Sequence, residues 1–127
     1  MNERDLIWLA GLCEGEATFD LHRGKYPRVR LAMTDRDVIG RAALLLGASI
    51  RVTFRPAPNK ATWHTELSGT RAAEIMRQLL PHMGARRSAK IAEILGHWEL
   101  SGKSVSGVPG PRLSRPPAVA KIAPLAS

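Results

Sequence analysis

Only one cysteine, Cys13, occurs among the 127 residues, so no disulfide can close within the chain. It lies in an apolar helical run, where a packed thiol is the ordinary outcome and a nucleophile the exception. CxxC and CxxH spacings are missing, and the four histidines, His22, His64, His82 and His97, are scattered, which excludes a zinc-finger type of site. No apolar run is long enough to span a bilayer, and the opening MNERDLIW is too acidic for a signal peptide. The expectation is a soluble, cytoplasmic protein with no membrane partner. Acids are also scarce: 11 Asp+Glu stand against 19 Lys+Arg, for a net charge of +8 and a pI near 10.8. A surplus of that size suits a polyanion, most often nucleic acid, held through phosphate contacts and counterion release. The bland alternative is a solvated basic surface.

What is present is enough to fold. Hydrophobic residues make up 44% of the chain, which suits one modest core. Asn2 is placed to cap a helix with Asp5 three residues on, and Leu6, Leu9, Ala10 and Cys13 recur at helical spacing to about Gly15. Phe19 and Leu21 then alternate with Thr18, Asp20 and His22. After a turn at Gly24-Lys25, Val29, Leu31 and Met33 alternate with Arg28, Arg30 and Ala32, which predicts a hairpin. A helix capped by Thr34 and stopped at Gly47 follows. A second hairpin places Ile50, Val52 and Phe54, then Trp63, Thr65 and Leu67, on one face. Two helices complete the pattern, the second with Ile91, Ile94, Leu95 and Trp98 on one side. From residue 101 to 127 the chain holds five of its nine prolines and no acid, so the domain is expected over 1–100 with a flexible, basic, Pro-rich tail over 101–127.

Helices interleaved with hairpins predict an α+β domain of αββαββα order, a four-stranded antiparallel sheet with helices on one face. The other sheet face must meet something. It is expected to carry Arg28, Arg30, Arg51, Arg55 and His64, together with Thr18, Asp20, His22, Ser49, Thr53, Thr62 and Glu66. Arginines interspersed with hydrogen-bonding side chains match a surface that grips a DNA backbone and reads base edges. A face left in water is the alternative.

The stretch LIWLAGLCEGEATF, residues 6–19, is the most informative. Gly11 and Gly15 are four apart, on one helical face, a spacing that lets two helices approach backbone to backbone. Interior glycine costs about 1 kcal/mol each in a helix, which argues for a reason. A tight pair formed with a second copy would bring two Glu16 carboxylates together, and crowded carboxylates repel unless cations sit between them. Oxygen ligands of this kind suit magnesium, and such sites hydrolyse phosphodiesters. Two solvated glutamates at a helix end are the alternative.

The residues LAGLCEGEA, 9–17, resemble the LAGLIDADG motif of homing endonucleases. Leu9, Ala10, Gly11 and Leu12 match by letter, Cys13 stands for an apolar residue, Glu14 and Glu16 for the two aspartates and Gly15 for the small alanine. MTDRDVIGRAALLLG and LLPHMGARRSAKIAEIL resemble later segments of the family, so the likeness spans about residues 3 to 100. Glutamate replaces aspartate at both acids, and Ala17 replaces the final glycine.

The resemblance implies a saddle-shaped sheet on double-stranded DNA. A single motif implies a homodimer, with Leu9, Ala10, Gly11, Cys13, Glu14 and Gly15 at the interface. Glu16 is implied as the catalytic metal ligand, for Mg2+ or another divalent cation. Asp35 is implied to help bind the catalytic water, and Arg86, with Arg87 and Lys90 as neighbours, to stabilise the reacting phosphate. The implied activity is site-specific, metal-dependent cleavage of both DNA strands. A non-cleaving DNA-binding regulator or an intron-splicing, maturase-like protein of the same fold is the alternative.

Overall fold

In the computed structural model, which describes residues 1–58 and 60–101, the elements follow the order α1 (Glu3–Glu16), β1 (Thr18–His22), β2 (Tyr26–Met33), α2 (Arg36–Leu46), β3 (Ile50–Thr53), β4 (Thr62–Ser68), α3 (Thr70–Leu79), a short 3-10 turn (Leu80–His82) and α4 (Ala85–Leu100). All pairings are antiparallel, in the order β1-β2-β4-β3. This is the expected α+β architecture. Residues 1–95 form one compact unit. Of the second, 96–127, the described part is the end of α4 and Ser101; the expected tail otherwise lies outside the described residues.

Local chemistry explains the boundaries. Asn2 caps α1, its Oδ1 accepting the Asp5 amide at 2.8 Å. The first hairpin turns through Arg23 and Gly24, both left-handed at φ 57° and 66°, and sets Thr18 opposite Arg30 and Asp20 opposite Arg28. The expected cap of α2 moves by one residue: Asp35, not Thr34, holds the N-cap position, its carbonyl accepting the Ile39 amide at 3.2 Å while its side chain makes no capping bond. Both residue types suit that position, so the sequence alone did not separate them.

Gly47 ends α2 in the left-handed conformation at φ 70°, its amide donating to the Ala43 and Leu44 carbonyls. A Cβ there would sit 2.6 Å from Nη2 of Arg71, the atom that donates to the Leu46 carbonyl at 2.9 Å. Gly47→Ala is therefore expected to cost about 1–2 kcal/mol, read by urea unfolding, because it combines a left-handed alanine with a displaced guanidinium.

The core lies between the sheet and the helices. Phe19, Val29 and Leu31 on the inner sheet face meet Ile39, Ala42 and Leu46 of α2 and Ala72, Met76 and Leu79 of α3, all buried. Thr65 is the one buried polar side chain among the described residues, and its hydroxyl donates to the Ser49 carbonyl at 2.9 Å, so burial leaves it satisfied. Two expectations for β3 need correction. Phe54 is 79% exposed and Ile50 40% exposed, so neither is core. Pairing stops at Thr53 opposite Thr62, and Pro56 and Pro58 beyond it have no amide with which to extend the ladder.

Candidate nucleic-acid interface

The strand register brings the expected outward residues into rows. Thr18, Arg30 and Glu66 lie side by side across β1, β2 and β4; Asp20 and Arg28 form the next row; His64 stands opposite Arg51, and Thr62 opposite Thr53. Alternation gives this outcome because every second side chain leaves the same face. Arg30, Arg51, Thr53 and Glu66 are exposed, whereas Asp20, His22, Arg28, Thr62 and His64 are half-buried. Two expected members fall outside the strands. Ser49 precedes β3 and is engaged through its carbonyl by Thr65, and Arg55 follows β3, exposed.

Polar pairs order this face. Asp20 receives two bonds from Arg28, at 2.9 and 3.0 Å, and one from Arg30 at 2.9 Å. The Arg28 hydrogen bond leads in holding the Asp20 carboxyl below the ordinary carboxylate range, and the same bond raises Arg28. Arg51 approaches Glu66 at 3.9 Å, a loose exposed pair of little energetic weight. Thr53 Oγ1 and His64 Nε2 are 3.0 Å apart.

Glu16 reaches this face from the end of α1. A depression of about 380 Å³ opens where the helix meets the sheet, lined by Glu16, Thr18, Arg30, Arg51, His64 and Glu66 among others. A carboxylate from the helix tip thus shares one concavity with two arginines of the sheet. Asp35 and Arg86 are exposed, at the start of α2 and in the first turn of α4, and neither lines the depression.

Behind Glu16, α1 and α4 clasp each other. The Glu14 Oε1 accepts the Gly84 amide at 2.7 Å, and Gly84 is the residue whose carbonyl opens α4 by accepting from Ser88. Arg87 returns the contact: Nε donates to the Glu14 carbonyl at 2.6 Å and Nη1 donates to the Ala17 carbonyl. Its guanidinium also lies 3.6 Å from Glu14 Oε2. The sequence marked Arg87 only as a neighbour of Arg86. Its signal was the bare end of α1, which has no basic residue in its last turn to meet the helix dipole.

The implied interface on α1 divides in two. Leu9, Ala10 and Cys13 are buried in the chain's own core at 0%, 4% and 0% exposure, so they face inward and cannot form the surface that meets another copy. Leu9 and Cys13 lie one turn apart on a single helical face, the buried one. Burial also pushes the Cys13 thiol up to about 12, with the Arg87 charge opposing, so it is no nucleophile. Gly11, Glu14 and Gly15 are exposed, and a Cβ added at either glycine would meet nothing within 4 Å. Ile7, one turn before Gly11, is 54% exposed and extends this outer stripe.

In fold, the chain is similar to the homing endonuclease I-CvuI, whose crystal structure was determined in complex with its target in the presence of 2 mM Ca. The TM-score is 0.56 at 16% sequence identity, over 81% of this chain and 73% of that one. The fold is that of a homing endonuclease. No family model matches the sequence, and no curated protein matches it. Among the described residues, no helix is long and apolar enough to cross a membrane.

Proposed function

We propose that this chain is a site-specific DNA endonuclease that acts as a homodimer and hydrolyses phosphodiesters with a divalent cation. The observation that carries the reading is the position of Glu16, at the tip of α1 and in one concavity with Arg30 and Arg51. The fold it shares with a DNA-bound endonuclease supports the same reading.

No three His, Cys, Asp or Glu side chains converge on a possible metal position among the described residues. Magnesium does not require that many, because it keeps several waters and takes one or two carboxylates with phosphate oxygens. An exposed glutamate fits that donor set, and Glu16 would hold the ion. When bound, the ion supplies Lewis-acid polarisation of the phosphate and a more acidic water. The chain's own residues do the rest. Arg30 and Arg51 hold the phosphate against the sheet. Asp35 at the start of α2 and Arg86 in the first turn of α4, both exposed and outside the lining of the depression, are assigned to the attacking water and the reacting phosphate by the resemblance of their segments to the family. The Arg87 clasp fixes the carbonyls on both sides of Glu16, so its carboxylate starts from an ordered backbone.

The outer stripe of α1 is the proposed dimer contact, with Gly11 and Gly15 allowing a close helix pair. Gly11→Leu is expected to leave the monomer folded, because its Cβ points into open space, and to shift sedimentation from dimer to monomer. An unchanged dimer would remove this packing.

The function is tested by digesting supercoiled and randomised-library DNA with and without Mg2+. Magnesium-dependent double-strand cuts at a recurrent sequence support the proposal. Salt-sensitive binding without cleavage under any divalent ion would point to a DNA-binding regulator or splicing protein of the same fold. A chain without DNA affinity would refute both.

A further inference from the structure

An acid on a surface that meets a polyanion is a cost unless it does something there. Asp20 stands in the middle of β1 on the arginine-bearing face, and every polar contact it makes orients arginine. Arg28 Nε donates to Oδ1 at 2.9 Å and Nη2 to Oδ2 at 3.0 Å, while Arg30 Nη2 donates to the same Oδ2 at 2.9 Å. Arg28 Nη1 lies 2.8 Å from His22 Nδ1. A guanidinium has only donors, so His22 Nδ1 is the accepting partner in this contact. Three of the five N–H bonds of Arg28 are thereby committed, leaving one on each terminal nitrogen. The side chain is only 18% exposed, so the fork is already held in one plane before any ligand arrives.

We propose that Asp20, Arg28 and His22 form a preoriented reader of guanine in the major groove, with Asp20 as the residue that sets its specificity. This rests on the DNA-binding reading above. Guanine presents O6 and N7 side by side, two acceptors that match two N–H donors on a fixed guanidinium. A phosphate would also take an arginine. A phosphate-gripping arginine, however, gains nothing from a carboxylate that takes two of its N–H bonds, since that carboxylate repels the phosphate and offsets the charge that attracts it. Neutral base edges are not repelled in this way. They benefit from a donor whose rotamer freedom is already lost. Arg30 gives the same carboxylate a single bond at 2.9 Å, is 45% exposed and lines the depression, so it is less committed to Asp20 and is the better phosphate ligand of the two.

The experiment is selection of bound duplexes from a randomised DNA library in EDTA, so that cleavage plays no part, with the wild-type chain, Asp20→Asn and Arg28→Lys. The wild-type selection should enrich guanine at the positions this set reads. Asp20→Asn should lower that enrichment about tenfold while raising affinity for non-specific duplex, because a negative charge has left the face. Arg28→Lys keeps the charge and should lose guanine at the same positions, since lysine is a point donor. It carries the test alone if Asp20→Asn does not fold. Guanine enrichment unchanged in either folded variant, or changed at different positions in the two, would overturn the proposal while leaving DNA binding intact. Absence of any duplex binding by the wild-type chain would instead sink the reading beneath it, and the proposal with it.

Discussion

Glu16→Gln is expected to lower DNA cleavage by about 10³-fold or more, with target binding nearly unchanged. The variant keeps the shape of the side chain and one carbonyl oxygen but removes the negative charge that a divalent cation needs. Metal stabilisation of a phosphoryl transition state is worth several kcal/mol, and each 1.36 kcal/mol is about tenfold in rate. Binding should survive because Glu16 is one exposed acid beside a sheet whose arginines supply the attraction. Removing a negative charge next to Arg30 and Arg51 should, if anything, tighten it slightly. Single-turnover cleavage and a gel-shift titration on one target separate the two effects. Glu16→Asp is the informative control. It restores the acid with an arm shorter by one methylene, so any activity it keeps measures how closely the backbone behind position 16 is fitted to glutamate. A Glu16→Gln variant that cuts at the wild-type rate would remove this residue from the chemistry.

Arg87→Ala is expected to cost about 3 kcal/mol of folding stability. Its side chain is 18% exposed and binds the Glu14 and Ala17 carbonyls, which otherwise end α1 with no basic residue nearby on the same helix. Hydrogen bonds from a charged donor are each worth about 1.5–3 kcal/mol net, and carbonyls left short of a partner cost more than bonds never made. The clasp is reciprocal. Cation from α4 meets the negative end of α1, and the Glu14 carboxylate meets the amide that opens α4 at 2.7 Å. Losing one half leaves Glu14 with no cation at 3.6 Å. Arg87→Lys should recover less than half the loss, since an ammonium does not bridge two carbonyls as a planar fork does. Urea unfolding at neutral pH reads both variants. Arg87→Ala within about 0.5 kcal/mol of wild type would mean the contacts are surface decoration. Cleavage should fall in the same variants even under conditions where they remain folded, because the backbone on both sides of Glu16 is what Arg87 holds.

The pattern of residues carried most of the fold. Alternation at Phe19–Leu21 and Val29–Leu31 fixed which face of each strand is buried, and Gly47 fixed the end of α2, because strand parity and a left-handed stop are local properties. The errors were also local. Asp35 displaced Thr34 as a cap because both are competent. Phe54 continued an alternation that the following prolines do not allow to pair. In helix α1 the order of residues leaves the two flanks equivalent. Leu9, Ala10 and Cys13 matched the motif as well as Gly11 and Gly15 did, and nothing in their order says which flank of a helix meets the chain's own sheet. That was decided by how α1 docks, which buries the first three and leaves the glycines outside.

Composition and periodicity by themselves determined that this chain is basic, forms two hairpins among helices, and gathers arginines on one sheet face, since charge and side-chain parity do not depend on long-range contacts. Only the tertiary structure decided that Glu16 shares a concavity with Arg30 and Arg51, that Arg87 rather than Arg86 binds the backbone around it, and that Asp20 gathers two arginines. Each of those meetings joins residues from different elements. Their distances follow from the packing of helix on sheet and from strand register, which no single segment encodes.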